Sequence, residues 1–503
     1  MASTTNMIYM HQSIRKLLSL KTQVKRGRKK QLENKSFAMS TDHPEDVKQN
    51  GRSSLSIAMY PWFAMGHLTA FLHMANKLAE RGHRISFFHP KNTISKLQNF
   101  NLYPDLLNFI PLDVPQVEGL PPGSETTADI PFPLQPFLRL AMDKTQPQVE
   151  SLLKDIKPDF VFFDFTHWLP SLARGLGIKS VFFITMSPAT MAYTFRREPT
   201  TDADLMKPPE GFPSSSSVKL LTHEARGLNF FGQVKEIGIR MTFLERLLVG
   251  TEECDAISFK TCREMEGPYC GYLEKKFQKP VILAGPVVPV QPASALEENW
   301  AEWLSNFKDK SIIYCAFGSE FRLQKDQFQE LILGLEKTGL PFLAALKPPF
   351  GSETIEMALP NCFEVRNQGK GIVYDGWVQQ QLILAHPAIG CFVTHCGSGS
   401  LSEALVSDCQ IVLLPQCGDQ FINARVMGGD LKAGVEVKKG DEDGLFTSDA
   451  VCEAIQLVMD ENSEVGMEVR ANHVKWKDFL LRDGLESSYT DEFIHRLRGL
   501  LNE

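Results

Sequence analysis

Apolar and polar positions alternate between two kinds of segment along most of the chain. Short apolar runs such as Leu55–Tyr60, Phe160–Phe163 and Ile389–Thr394 are bounded by Pro, Gly or polar residues, which is typical of buried strands. Between these runs, apolar residues recur at helical spacing, as they do from Phe71 to Ala79, and further helices are predicted over 137–156 and 232–249. Strands that alternate with helices predict an α/β fold built on parallel sheets.

The alternation is interrupted at the start and near the middle of the chain. The first 32 residues hold eight Lys or Arg and no Asp or Glu. This composition predicts a disordered basic tail or an upstream start with Met39 as the usual first residue; an organelle transit peptide is the alternative. The predicted parts are a tail at 1–50, an N-terminal Rossmann-like domain at 51–285, a Pro-rich linker at 286–296, a C-terminal Rossmann-like domain at 297–475 and a terminal helix at 476–503.

Two polar side chains follow predicted strands of the N-terminal half. His67 lies where the first strand turns into a helix, and Asp164 comes directly after the apolar run Phe160–Phe163. A carboxylate in that position is costly to bury without a partner. The partner is either a backbone N–H group or His67, because the C-terminal ends of parallel strands meet at one edge of a sheet. A lone histidine near a helix start is often structural, so its position does not by itself indicate catalysis.

Residues 377–420, here called the signature segment, combine several groups suited to a nucleotide sugar. Trp377 offers a flat ring for a base. The strand Ile389–Thr394 runs into the small residues Gly397–Ser400 and then a helix, whose first N–H groups can bind phosphate. A second strand ends at Pro415 and is followed by Asp419 and Gln420, at the sheet edge where ligands bind.

The signature segment resembles that of the plant UDP-dependent glycosyltransferases, an inverting family with the GT-B fold, in which two Rossmann-like domains lie across a cleft. The opening Trp, the central His-Cys-Gly, Ser400, Glu403 and the closing Asp-Gln all fall at the family's spacing. The resemblance extends over roughly residues 54–503. Residues 60–67 are similar to the family segment with the catalytic histidine, and Asp164 matches the family's second acid.

This resemblance implies roles for individual residues. His67 would take the proton of the acceptor hydroxyl, and Asp164 would orient the imidazole. The donor-binding residues implied are Ser319, Trp377, Val378, Gln380, His395, Gly397, Ser398, Gly399, Ser400, Glu403, Asp419 and Gln420. In relatives, the residue at position 377 stacks on uracil, the main chain at 378 bonds the base edge, and the residue at 403 holds the ribose. Positions 319, 395 and 397–400 hold the diphosphate, and positions 419 and 420 hold the transferred sugar. The last helix returns to the N-terminal domain in relatives.

Two departures from the family pattern refine the expectation. Ser398-Gly399 replaces the common Trp-Asn, so backbone N–H groups must carry more of the phosphate contact, and Gln379 replaces the usual Pro. The first departure resembles the branch that adds a sugar to a sugar already on a flavonoid. The expected reaction moves glucose to the 2''-hydroxyl of a flavonol or anthocyanidin 3-O-glycoside. The alternatives are UDP-xylose or UDP-rhamnose as donor, and an aglycone or a terpenoid glycoside as acceptor.

Composition narrows the remaining function classes. At 503 residues, 43% hydrophobic and 22% charged, the chain is typical of a soluble globular protein, and its net charge of −7 argues against a nucleic-acid partner. No apolar run approaches the roughly 20 residues of a membrane span. Ten scattered cysteines indicate reduced thiols and cytoplasmic location. We expect a monomer without cofactor or metal, with the UDP-sugar as co-substrate.

Two other classes of protein fit the sequence less well. A dinucleotide-dependent oxidoreductase would need Gly-x-Gly-x-x-Gly after its first strand, and neither Gly66–Ala70 nor Gly397–Leu401 supplies it. A non-catalytic nucleotide-sugar sensor would not need both His67 and Asp164. The Pro-rich stretches at 111–136 and 199–217 are expected to form a loop beside the cleft and a mobile flap over the acceptor.

Overall fold

Two parallel β-sheets organise the computed structural model, which describes residues 54–198, 200–289, 294–318 and 321–502. The predicted tail at 1–50, Ser319 and part of the predicted linker lie outside the described residues. Helices connect the strands of both sheets, and every strand pair in them is parallel. The predicted α/β class with two Rossmann-like halves is therefore confirmed.

The first lobe is built on a seven-stranded sheet. Its strands are β1 Ser56–Tyr60, β2 Arg84–Pro90, β3 Leu107–Leu112, β4 Phe160–Phe163, β5 Lys179–Ile184, β6 Ala256–Phe259 and β7 Val281–Leu283. Its helices are α1 Met65–Glu80, α2 Ile94–Leu97, α3 Gln135–Asp143, α4 Gln146–Ile156, α5 Leu169–Gly175, α6 Pro188–Thr194, α7 Asp202–Leu205, α8 Thr222–Gly232, α9 Phe243–Glu253 and α10 Arg263–Phe277. The strands lie in the order β3-β2-β1-β4-β5-β6-β7.

The second lobe repeats this plan with six strands in the order β10-β9-β8-β11-β12-β13. They are β8 Ile312–Ala316, β9 Phe342–Ala345, β10 Gly371–Tyr374, β11 Ile389–Thr394, β12 Gln410–Leu413 and β13 Val435–Glu436. The helices are α11 Glu298–Ser305, α12 Lys325–Lys337, α13 Phe363–Asn367, α14 Gln380–Leu384, α15 Ser398–Leu405, α16 Gln420–Arg425, α17 Ser448–Met459, α18 Glu464–Leu480 and α19 Leu485–Leu501, with a π-helical turn at Val426–Asp430.

Both sheets reverse their strand order at an equivalent point. In the first lobe the reversal lies between β1 and β4, where Tyr60 pairs with Phe163. In the second lobe it lies between β8 and β11, where Ala316 pairs with Thr394. Ligands of open parallel sheets bind beyond the C-terminal ends of the strands at such a reversal. The segments that follow these four strands are therefore where ligand-binding and catalytic side chains are expected.

Two expected helices differ from the structure. The single helix predicted over 137–156 is broken into α3 and α4, because Pro147 suits the first turn of a new helix and Thr145 interrupts the old one. The helix predicted over 232–249 is wrong in its bounds: α8 ends at Gly232 and α9 begins at Phe243. Thr242 and Glu245 form a capping box there, a signal that the sequence contains.

The last helix, α19, begins at Leu485 rather than at the predicted residue 476, and it packs on the first lobe. Phe493 and Leu497 are fully buried in one cluster with Ile57 and other residues of the first sheet. The ring of Phe493 lies 6.0 Å from that of Phe162. The burial of these side chains fixes the C-terminus against the lobe that holds His67.

The two lobes also touch beside the cleft. Ser217, at the end of the Pro-rich stretch expected to form a flap, donates its N–H to Asp430 of the second lobe at 2.7 Å. The guanidinium of Arg425 donates to the fully buried carboxylate of Glu224 at 2.9 Å. These bonds set the distance between the two sheet edges. Among the residues that the structure describes, no helix has the length and apolar character needed to cross a membrane.

Candidate active site

His67 and Asp164 meet at the strand-order reversal of the first lobe. The imidazole Nδ1 is hydrogen-bonded to one carboxylate oxygen of Asp164, and the Trp62 backbone N–H donates to the other. Both partners considered from the sequence are thus present. With the Nδ1 proton donated to the carboxylate, Nε2 of His67 is left as the proton-accepting atom.

The carboxylate of Asp164 is only 3% exposed. Burial raises the pKa of Asp164, while the imidazole of His67 and the Trp62 N–H oppose that rise. A carboxylate in such a site is stabilised most when its neighbour becomes cationic. The arrangement therefore favours the transfer of a proton to His67.

Several groups that support the histidine were missed from the sequence. The ring of Phe165 lies against the imidazole, with centroids 5.1 Å apart, and the hydroxyl of Thr185 lies 3.2 Å from Nδ1. Phe165 adopts a positive φ of 40°, and the guanidinium of the buried Arg246 donates to its carbonyl at 3.0 Å. Thr185 follows β5, so its place at a strand end was a usable signal. The contacts of Phe165 and Arg246 have no local signal in the sequence.

His395 lies at the strand-order reversal of the second lobe, directly after β11. Burial lowers the pKa of His395 to about 4, and its Nδ1 has no hydrogen-bond partner in the described part of the chain. Gly397 is needed beside it, since a Cβ there would lie 2.6 Å from the imidazole Nε2. The imidazole is therefore neutral and can donate a hydrogen bond but carries no charge.

The helix start that follows is open to a ligand. Ser398 and Gly399 are exposed, and a Cβ at position 399 would meet no atom within 4 Å. Gly318 comes close from the other side of the strand-order reversal, at a φ of +73°. Its Cβ position lies 3.2 Å from the His395 imidazole. Residues predicted to contact the diphosphate thus lie together at one edge of the second sheet. Ser319, which was predicted to join them, lies outside the described residues.

Trp377 lies at the surface, with 75% of the residue exposed, while the adjacent Val378 is buried. The indole ring is therefore available to stack on a base. Gln379, which replaces the usual Pro, has a structural use: its side chain accepts from the Glu297 N–H at 2.7 Å and donates to the Ala295 carbonyl at 3.0 Å. These bonds tie the start of the signature segment to the beginning of the second lobe.

The carboxylate of Glu403 is held by two neighbouring amides. Gln380 donates to it at 2.6 Å and Gln381 donates at 3.1 Å. The Gln380 amide also donates to the Ser400 hydroxyl at 3.1 Å. Gln380, Ser400 and Glu403 are therefore one polar group, and the carboxylate keeps further lone pairs for sugar hydroxyls.

Asp419 and Gln420 end the signature segment at the cleft. Burial raises the pKa of Asp419, which accepts a hydrogen bond from the Asn423 amide at 3.2 Å. The Gln420 carbonyl oxygen accepts the backbone N–H groups of Gln416 and Cys417 at 3.0 and 3.1 Å. Because that oxygen holds the loop, only the NH2 end of Gln420 is available to a ligand.

A cavity of about 780 Å³ is lined by residues of both lobes. His67 lines it from the first lobe, and Ser398 and Asp419 line it from the second. Much of its wall is apolar, with Phe132, Phe165, Phe230, Phe243 and Leu247 among the lining residues. A volume of this order and such a lining suit a planar organic molecule that carries polar groups.

The described residues contain no cluster of three or more His, Cys, Asp or Glu that could hold a metal ion. All ten cysteines are free. The polar groups along the cavity are instead arranged as a proton acceptor on one side and as hydrogen-bond donors with a helix start on the other. That combination suits the transfer of a group from a phosphate ester to a hydroxyl.

Comparison with known proteins agrees with this chemistry. Residues 272–473 match the family described as UDP-glucoronosyl and UDP-glucosyl transferase. A cyanidin 3-O-galactoside 2''-O-xylosyltransferase of Actinidia chinensis var. chinensis is 57% identical over 457 residues, which are 90% of this chain and 100% of that protein. An anthocyanidin 3-O-glucoside 2''-O-glucosyltransferase of Ipomoea nil is also 57% identical, over 88% of this chain and 98% of the relative.

A solved structure gives the same fold at lower sequence identity. UGT73P12 of Glycyrrhiza uralensis, complexed with glycyrrhetinic acid 3-O-monoglucuronide, superimposes with a TM-score of 0.70 at 22% identity. The match covers 89% of this chain and 96% of that one.

Proposed function

Because the chain belongs to the UDP-glucoronosyl and UDP-glucosyl transferase family and is a UDP-glycosyltransferase of GT-B fold, as the sequence predicted, we propose that it transfers glucose from UDP-glucose to a flavonoid 3-O-glycoside. The acceptor group is the 2''-hydroxyl of the sugar already present on an anthocyanidin or flavonol. The names of two relatives with 57% identity, both 2''-O-glycosyltransferases of cyanidin or anthocyanidin 3-O-glycosides, support this acceptor class.

The observation that carries the proposal is the shared cavity. One volume of about 780 Å³ is lined by His67 from one lobe and by Asp419 and Ser398 from the other. An acceptor with a flat aromatic part would lie on the apolar wall of the first lobe. Its sugar would point toward the residues proposed to hold the donor. This arrangement brings the two reactants together, which is the main requirement for a group transfer.

In the proposed reaction His67 acts as general base. Its Nε2 takes the proton of the acceptor hydroxyl while the oxygen forms a bond to the anomeric carbon of the donor. Asp164 holds the Nδ1 proton, orients the ring and stabilises the imidazolium. The bond from the anomeric carbon to the β-phosphate oxygen breaks on the opposite side, so the configuration inverts and the electron pair leaves with UDP.

The second lobe would hold the donor without a metal. Trp377 stacks on uracil, the main chain of Val378 bonds the base edge, and the group around Glu403 binds the ribose. His395, the start of α15 and the Ser400 hydroxyl donate hydrogen bonds to the diphosphate. Asp419 and the Gln420 NH2 group bind hydroxyls of the transferred sugar. Full activity after treatment with EDTA is expected; complete loss that returns with Mn²⁺ would contradict metal independence.

A crossed panel of donors and acceptors tests the proposal. Purified protein is incubated with UDP-glucose, UDP-xylose or UDP-rhamnose and with cyanidin or quercetin, each as aglycone and as 3-O-glucoside. We expect one hexose to be added to the 3-O-glucosides, and two-dimensional NMR to show a β-linkage at the 2''-oxygen. Products from the aglycones alone would contradict the sugar-on-sugar proposal.

Transfer of xylose to the same acceptors is the second candidate. A specific observation favours it: the relative named a 2''-O-xylosyltransferase has the same 57% identity as the one named a 2''-O-glucosyltransferase. The donor panel separates the two, because the ratio of kcat/KM for UDP-glucose and UDP-xylose measures the preference directly.

A further inference from the structure

Lys260 lies where two cavities of the cleft meet. It is the first residue after β6, and it lines both the cavity of about 780 Å³ and a smaller cavity of about 120 Å³. Thr185 and Ser398 also line both cavities. Ser398 begins α15, so Lys260 approaches the proposed phosphate site from the opposite lobe.

The charge of Lys260 has no partner in the described part of the chain. Among those residues no hydrogen bond or ion pair involves its ammonium group, and the nearby Lys77 repels it. Burial lowers the pKa of Lys260 to about 8, so the side chain is still mostly charged at neutral pH. Arg139, which lines the same large cavity, differs: it donates to the buried carboxylate of Glu236 at 2.8 Å.

An acidic residue of the smaller cavity does not neutralise this lysine. Glu266 lines the smaller cavity and is only 7% exposed, but it forms no ion pair with Lys260. Burial raises the pKa of Glu266 to about 7, and its Oε1 has no hydrogen-bond partner among the described residues. A half-buried, unpaired ammonium group is costly, so an anionic ligand would satisfy it.

Few full positive charges are free at the proposed phosphate site among the described residues of the second lobe. His395 is neutral because burial lowers its pKa to about 4. Two half-buried cations are engaged elsewhere, Arg425 with Glu224 and Glu436 and Lys439 with the Pro415 carbonyl. The start of α15 supplies only partial charge. A cation from the other lobe would therefore add to the neutralisation of a diphosphate at that position.

We propose that Lys260 is a donor-positioning residue of the first lobe whose ammonium group pairs with the diphosphate of the UDP-sugar held at the start of α15. This inference rests on the proposed function for the identity of the donor. It adds a link between the lobes that forms only when the donor is bound. Residues of the second lobe would then hold the uridine, while both lobes would hold the phosphates.

The test compares two ligands that differ only in phosphate. Binding of UDP and of uridine is measured by calorimetry for the wild type, Lys260→Met and Lys260→Arg. We expect Lys260→Met to weaken UDP binding about tenfold or more and to leave uridine binding within twofold, since one buried charge pair is lost. Lys260→Arg should recover most of the UDP affinity. An equal loss for both ligands, or no loss for UDP, would overturn the proposal.

Two further variants separate charge recognition from structure. Lys276→Met removes a lysine from the same lobe whose pKa burial also lowers to about 8, but Lys276 lies away from the two cavities of the cleft. It should leave UDP binding unchanged. Glu266→Gln tests whether Lys260 serves Glu266 instead. If Lys260→Met and Glu266→Gln both lower the unfolding midpoint and spare UDP binding, Lys260 is structural. None of these measurements needs an acceptor, so they stand apart from a failure of the proposed transfer reaction.

Discussion

His67 and His395 both lie at the strand-order reversal of their lobe and have different surroundings. His67 lies in the first turn of α1, the helix that follows β1, whereas His395 directly follows β11 and precedes α15. His67 is hydrogen-bonded to a buried carboxylate, that of Asp164. His395 has no carboxylate partner in the described chain, and burial lowers its pKa to about 4. The same residue type at the reversal of each sheet is thus prepared for proton transfer in one lobe and for neutral hydrogen bonding in the other.

The fold thus provides the location, and the neighbouring residues provide the chemistry. A strand-order reversal brings loops together in both lobes. Only in the first does the adjacent strand end in an acid, Asp164, and only in the second does Gly397 let the backbone pass within contact distance of the ring. Four predictions test this contrast.

Removal of the proposed base should have the largest effect. We expect His67→Ala to lower kcat by roughly a thousandfold, because general base catalysis contributes about 10²–10⁴. UDP affinity should stay within about twofold, since His67 lies on the acceptor side of the cleft. Product formation by chromatography and UDP binding by calorimetry give the two numbers. A variant that retains near-normal turnover would show that the base is elsewhere.

The second prediction concerns the carboxylate that distinguishes the two histidines. Asp164→Asn should lower kcat by about 10²–10³, because the amide no longer fixes the Nδ1 proton of His67 or stabilises the imidazolium. Stability in urea should fall little or rise, since a buried carboxylate is replaced by a neutral group. A kcat within threefold of the wild type would mean that Asp164 serves only the Trp62 backbone.

The contrast between the lobes also explains what the sequence could and could not predict. The pairing of Asp164 with His67 was predictable, because parallel strands end at one edge and an acid after four apolar residues needs a partner. Strands such as β1, β4 and β11 were predictable from their apolar runs, and so was a helix after the small residues at 397–400, although α15 already begins at Ser398. The break between α3 and α4 was missed, although Pro147 marked it, because the apolar period continues through the break.

The support around the histidines was largely not predictable. Arg246 lies 81 residues from Phe165, whose carbonyl it bonds, and no local pattern joins them. The low pKa of His395 follows from how deeply the second lobe buries the ring, which periodicity does not measure. Lys260 is one of many lysines in the sequence, and only its unpaired place between two cavities distinguishes it. The roles assigned to the signature segment remain predictions that binding experiments must test.

The third prediction uses pH to examine His395 without a ligand. Its folded pKa of about 4 lies below the usual 6.5, so the unfolded chain binds more protons between these values. The free energy of unfolding should therefore fall as pH drops from 6.5 toward 4, with His395 contributing up to about 3 kcal/mol of that loss. Urea unfolding of wild type and His395→Asn at several pH values isolates this share, because buried histidines such as His473 are common to both. Parallel curves would mean that His395 is not buried as described.

The smallest effect concerns the two glycines that flank the start of α15. A Cβ at position 397 would lie 2.6 Å from the His395 Nε2, whereas a Cβ at position 399 would meet nothing within 4 Å. Gly397→Ala should therefore cost about 1–2 kcal/mol of unfolding free energy by displacing the ring, since overpacking typically costs that much. Gly399→Ala is the matched control and should be neutral or add about 0.5–1 kcal/mol, because alanine favours the helix. Equal effects of the two substitutions would show that the imidazole does not need the space at 397, and the difference between the two lobes would then rest on Asp164 alone.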